Sequence, residues 1–133
     1  MKNSFAIEHQ GKYKNFNYIV IARKIGFRCG YVRLPKNNKF YGKHYGDIDL
    51  LDVHGGLTFS GKLTGLAGFW IGFDCAHFGD GYDLSLVKDE TVKECLLDLN
   101  KSCDAVIRDK DFVIAECKSL IDQLMGHKHK KSF

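Results

Sequence analysis

No run of about 18 apolar residues occurs anywhere in the 133-residue chain, and its first fifteen residues mix Lys2, Glu8, His9, Lys12 and Lys14 without an apolar segment. Neither a membrane span nor a secretory leader is expected. The five cysteines (Cys29, Cys75, Cys95, Cys103, Cys117) are odd in number, widely spaced and form no C-x-x-C pair, which predicts reduced thiols in a cytoplasm. H-E-x-x-H is absent, as are Gly-x-Gly-x-x-Gly and a phosphate loop ending in Gly-Lys-Ser/Thr, so no zincin or mononucleotide fingerprint applies. Sixteen acidic residues spread through the chain hold the net charge to +4. No basic face large enough for long nucleic acid is expected, and no RNP or helix-turn-helix signature is visible. The tail His127-Lys128-His129-Lys130-Lys131 carries part of that excess and reads as a solvated end.

Glycine and aromatic residues are scarce in the last third of the chain. Of 17 aromatics only Phe112 and Phe133 lie beyond Tyr82, and Gly126 is the only glycine beyond Gly81. The first part therefore reads as strands and turns and the last part as helix. Phe16–Arg23 is β-branched and aromatic, Lys24-Ile25-Gly26 turns the chain, and Phe27–Leu34 forms a second strand that stops at Pro35, the one proline. A polar, aromatic loop follows over 36–47. Shorter strands are expected at Leu50–Val53, Leu57–Ser60 and Phe69–Asp74.

Thr91-Val92-Lys93-Glu94 has a capping-box pattern, with Val92, Cys95, Leu96 and Leu99 at helical spacing. Asp109 or Asp111 would cap a second helix with a stripe of Val113, Cys117, Leu120, Ile121 and Leu124 and Gly126 at C′. Cys95 and Cys117 fall on these stripes and are expected in the core. At 44% apolar and 27% charged, one domain of this length buries about two-thirds of its unfolded surface. The expectation is a single α+β domain over 1–133, with a curved, mainly antiparallel sheet packed against C-terminal helices.

Chemistry concentrates in Val53-His54-Gly55-Gly56-Leu57-Thr58-Phe59 and in Phe69-Trp70-Ile71-Gly72-Phe73-Asp74-Cys75-Ala76-His77-Phe78-Gly79-Asp80-Gly81. His54, Asp74, His77 and Asp80 form a mixed N/O set that Zn²⁺, Mn²⁺ or Fe²⁺ would accept, which makes a metal-dependent hydrolase of a small phosphodiester one reading. His54, Asp74 and His77 also suit a buried polar network holding sheet and loop together. Cys75 reads as a packing thiol rather than a nucleophile. Arg28, Arg33, Lys36, Lys39 and Lys43 cluster with Tyr31, Phe40, Tyr41 and Tyr45. Cations answer phosphates and aromatic faces stack on bases, at about 1–3 kcal/mol per base, so a small anionic ligand fits. The Tyr-rich loop equally suits a surface for a host protein, because Tyr and Arg are enriched at binding hot spots.

Phe27-Arg28-Cys29-Gly30-Tyr31-Val32-Arg33-Leu34-Pro35, Tyr41-Gly42-Lys43-His44-Tyr45, the His-Gly-Gly-Leu-Thr run and Trp70 to Asp80 together resemble a widespread family of small phage-encoded proteins. The helix from Asp111-Phe112-Val113 to Leu124 is similar to that family's closing helix, so the resemblance runs from about Phe16 onward. It extends to the anti-CBASS sponges, which sequester cyclic dinucleotides such as cyclic GMP-AMP without cleaving them and assemble as homotetramers in the host cytoplasm. On that resemblance no cofactor is needed, and Arg28, Tyr31, Tyr45, His54, Gly55, Gly56, Thr58, Asp74, His77 and Asp80 are the expected ligand site. Arg28 would take phosphate charge, Tyr31 or Tyr45 would stack on a base, Thr58 and Asp74 would bond base edges or ribose, and the glycines would permit close approach.

Overall fold

Near-continuous burial along Phe16–Arg23 and Arg28–Leu34 needs a partner layer on each face, and the fold supplies both. The computed structural model describes residues 5–126. Five strands, β1 (Phe5–Tyr13), β2 (Phe16–Arg23), β3 (Arg28–Leu34), β4 (Phe59–Gly61) and β5 (Phe69–Asp74), form one antiparallel sheet in the order β1-β2-β3-β5-β4. Two-residue strands β6 (Asp80–Gly81) and β7 (Val106–Ile107) pair in parallel beside it. Helix α1 (Glu90–Ser102) precedes β7, and α2 (Lys110–Leu124) closes the described chain. The architecture is α+β, as expected. No helix of the described residues is long and apolar enough to cross a membrane.

Helix α2 covers one sheet face. Val113, Cys117, Leu120 and Ile121 are wholly buried against Val20, Val32, Ile71 and Phe73. Its expected cap is present, Asp109 accepting from the Phe112 N–H at 2.8 Å, and Gly126 takes φ +90° just past its end. On the opposite face Ile19, Ile21, Cys29, Tyr31 and Trp70 form a second core, and Leu63 and Leu66 of the β4–β5 loop pack on it. Gly30 lies where β3 meets α2: a Cβ there would stand 2.5 Å from the Phe73 ring and 2.9 Å from the Cys117 sulfur. Gly30→Ala is therefore expected to cost about 1–3 kcal/mol by overpacking, read as a lower urea midpoint with unchanged slope.

The structure departs from the sequence reading in several places, among them the strand expected at Leu57–Ser60, which forms only at Phe59–Gly61. β1 was not anticipated; it is an edge strand joined to β2 by the two-residue turn Lys14-Asn15, both at positive φ (48° and 69°). Leu50–Val53 is not a strand, because Leu50 sits at φ +72° and the Gln123 amide bonds both the N–H and the carbonyl of Asp52 in place of a ladder. α1 starts earlier than the capping box suggests, with Asp89 as cap accepting from the Thr91 and Val92 N–H groups. α1 does not cover the sheet; it buries only Leu96, which leaves Cys95 exposed. The basic tail 127–131 lies outside the described residues.

Candidate functional site

β5 delivers Asp74 to the end of the sheet, and the chain turns there through His77 to Asp80. Asp74 accepts from the Ala76 N–H and from the Thr58 hydroxyl, each at 3.1 Å. Thr58 is set by its own N–H donating to the Gly72 carbonyl at 2.9 Å. His77 Nε2 lies 3.1 Å from Asp74 Oδ1, yet it is buried and out of alignment for a hydrogen bond. The His77 ring occupies the space over Gly55, where a Cβ would meet Nε2 at 2.2 Å. Gly55 also holds φ +69°, so the position demands glycine on both counts.

Asp80 is the anchor of the group. Its side chain is 2% exposed and accepts from His54 Nε2 at 2.9 Å, from Arg108 Nε at 2.9 Å and from the His77 N–H at 3.1 Å. Burial opposes its ionisation, but the hydrogen bonds from His54, Arg108 and His77 outweigh that and hold the carboxyl below its ordinary value. His54 in turn donates its backbone N–H to Glu116 of α2 at 2.8 Å and sets its ring edge-on to Phe112 and His77. Arg108 stacks over Phe112, 4.9 Å from the ring centroid. His54, Gly55, Gly56, Thr58, Asp74, His77 and Asp80 are thus brought together, as a clasp between two loops and α2.

The clasp does not have the donor arrangement of a metal centre. Among the described residues no three His, Cys, Asp or Glu side chains gather so as to hold an ion. Around Asp80 the reason is local: the Arg108 guanidinium supplies the positive charge facing the carboxylate, and His54 Nε2 takes its remaining side. Cys75 is 2% exposed, and burial pushes its thiol up to about 12, which makes it inert.

Arg28 and Tyr31 take structural positions. Arg28 is 5% exposed and forks onto both oxygens of Glu8 at 2.7 and 3.0 Å, while Nη1 donates to Asp83 at 2.9 Å and to the Arg108 carbonyl at 3.3 Å. Its charge is consumed within the fold. Tyr31 lies in the second core, edge-on to Phe59, and burial raises its phenol above the ordinary value. Tyr45 is half-exposed and stacks on His44. Glu8, Asp83, Arg108, Phe112 and Glu116 complete the two networks without a spacing signal that marks them in the sequence.

The guanidinium of the other β3 arginine is free. Arg33 makes no ion pair or hydrogen bond among the described residues and lies across Gly68, where a Cβ would meet Nε at 2.2 Å. It lines an open hollow of about 350 Å³ on the sheet face opposite α2, with Gln10, Asn17, Tyr18, Leu66 and Trp70. Trp70 fixes one wall by donating Nε1–H to the Ala67 carbonyl at 3.1 Å. The hollow thus offers one unpaired cation, two amide side chains and an apolar floor. No protein-family model matches the chain, and no curated protein or solved structure is significantly similar to it.

Proposed function

We propose that the protein binds a cyclic dinucleotide such as cyclic GMP-AMP and holds it without cleaving it, as a phage-encoded homotetrameric sponge acting in the host cytoplasm. The observation that carries this reading is Arg33, a guanidinium without a partner among the described residues, at the edge of a hollow lined by Gln10 and Asn17. A guanidinium fork matches a phosphodiester, and side-chain amides match the edges of bases. The phosphate role that the sequence suggests for Arg28 passes to Arg33, because Arg28 is neutralised by Glu8 and Asp83. At about 350 Å³ the hollow is at the small end of ligand sites, which run to about 1,000 Å³. It accommodates one nucleotide half, and the other half calls for a second copy of the chain. The motif histidines serve this role by fixing the loops rather than by chemistry.

The test is calorimetry against a panel of cyclic di- and trinucleotides, followed by chromatography of the ligand released on heating. Binding with intact ligand is expected, and Arg33→Gln is expected to weaken it about 10- to 100-fold, the loss of one charge-assisted contact. Degraded ligand would replace the sponge with a hydrolase. Absence of binding across the panel would overturn the reading.

A further inference from the structure

Tyr13 donates its hydroxyl to Asp122 of α2 at 3.1 Å and packs against the core that α2 covers. Neighbouring residues of a strand point to opposite faces, so Lys12 stands on the face that carries the Arg33 hollow. Gln10, two residues back along β1, lines that hollow and gives the same placement. The register fixes what lies beside the lysine. Lys12 pairs with Asn17 of β2, and one residue beyond the pairing of Tyr18 with Val32 the antiparallel register sets Asn17 beside Arg33. Asn17 is flanked by Phe16 and Tyr18, and Arg33 by Val32 and Leu34. Those four belong to the core under α2, which turns Asn17 and Arg33 to the opposite face. Lys12, Asn17 and Arg33 thus form one row across three strands.

The two ends of the row lie two strand spacings apart, about 9–10 Å, with the Asn17 amide between them. Lys12 is exposed and, like Arg33, makes no hydrogen bond or ion pair among the described residues. No aspartate or glutamate lines the hollow. Other lysines near this end of the sheet are engaged: Lys14 pairs with Asp122 at 2.7 Å, and Lys118 lies over the Tyr13 ring, 5.4 Å from its centroid. Two like charges held this close beside one opening raise its potential, and an anionic group at each end lowers it. We infer that Lys12 is a second phosphate-binding residue of this site, so that the hollow takes a nucleotide with a phosphate on either side of its sugar. The inference rests on the cyclic dinucleotide reading above and narrows it. Each sugar of a cyclic dinucleotide carries a phosphodiester at two of its oxygens. A single nucleotide half set over Asn17 therefore presents one phosphate to the Arg33 fork and the other to the Lys12 ammonium, a point charge on a flexible stem.

Calorimetry of the full chain with cyclic GMP-AMP, in low and in high salt, tests the assignment. Lys12→Gln is expected to weaken binding about 3- to 5-fold in low salt, less than Arg33→Gln does, because an exposed ammonium acts through water. The difference from wild type is expected to shrink in high salt. Lys12→Arg is expected to keep the affinity. Lys118→Gln, which removes the same charge from α2, is expected to leave it unchanged. Wild-type affinity in Lys12→Gln, or an equal loss in Lys118→Gln, would overturn the assignment; Arg33→Gln would still weaken binding if the hollow takes the ligand through Arg33 alone. Absence of binding by the wild type to every cyclic nucleotide of the panel would overturn the reading of the hollow, and the role of Lys12 with it.

Discussion

Replacing Arg28 with methionine is expected to destabilise the fold by about 3 kcal/mol, read as a fall of roughly 10 °C in the thermal midpoint. The side chain is 5% exposed and joins β1 through Glu8 to the segment after β6 through Asp83 and to the entry of α2 through the Arg108 carbonyl. Methionine fills similar volume, so the loss is electrostatic. Two carboxylates that faced a guanidinium are left facing each other, half-sheltered from water with side chains 26% and 21% exposed. That residual hydration places the cost at the low end of the range for breaking a buried pair. Arg28→Lys is expected to recover only part of it, because an ammonium cannot fork onto both Glu8 oxygens and still reach Asp83. A loss below about 1 kcal/mol for Arg28→Met would mean that the network does not hold these three segments.

The same arginine shows where sequence reasoning stops. Glu8 reaches it because β1 carries a bulge: Ile7 pairs with Ile21 and His9 with Val20, so Glu8 is the extra residue, and a bulge re-aims a side chain. A register slip across a hairpin leaves no periodic trace, and a basic residue among aromatics then reads as a ligand contact. β1 itself escaped for a related reason. It is an edge strand in which exposed Ile7 is followed by Glu8, His9 and Gln10, so it lacks the apolar run that marks β2, β3 and β5, each packed on both sides. α2 was legible almost to the residue because one stripe, one cap and one terminal glycine all agree. α1 was not, since its apolar positions Val92 and Leu99 face outward and its real cap, Asp89, lies outside the box pattern.

The motif residues fared differently. Their grouping was readable, because β4 and β5 bring Thr58 and Asp74 side by side, and the short loops next to them carry His54, His77 and Asp80. Sequence offered both a ligand site and a buried polar network for them, and it could not point to Arg108, which lies 28 residues beyond Asp80 with no pattern linking the two. With Arg108 in place the Asp80 carboxylate faces a guanidinium inside the clasp. On the sheet face opposite α2, Arg33 has no charged partner among the described residues, a difference from Arg28 that spacing alone does not show.

Asp80→Asn is expected to cost about 3–5 kcal/mol at pH 7, and the cost should shrink in acid. An asparagine preserves the shape but turns an amide N–H toward donors that now converge on the carboxylate: His54 Nε2, Arg108 Nε and the His77 N–H. The sign of the pH dependence follows from the carboxyl being held below 3.8 in the fold: the unfolded chain takes up the proton first. The stability that Asp80 contributes is therefore complete above about pH 4 and is lost as pH falls through the window between 3.8 and the lower folded value. Asp83 behaves alike: burial opposes its charge, but hydrogen bonds from Ser85 and Arg28 prevail and lower its pKa. Urea titrations of both proteins at pH 7, 5, 4 and 3 separate the two groups, since only the Asp80 contribution vanishes in the variant. The gap between wild type and Asp80→Asn should be constant from pH 7 to 5 and narrow below 4. A gap that stays flat down to pH 3 would show that Arg108 and His54 do not hold the carboxylate charged, and the clasp would then owe its strength to packing around Phe112 alone.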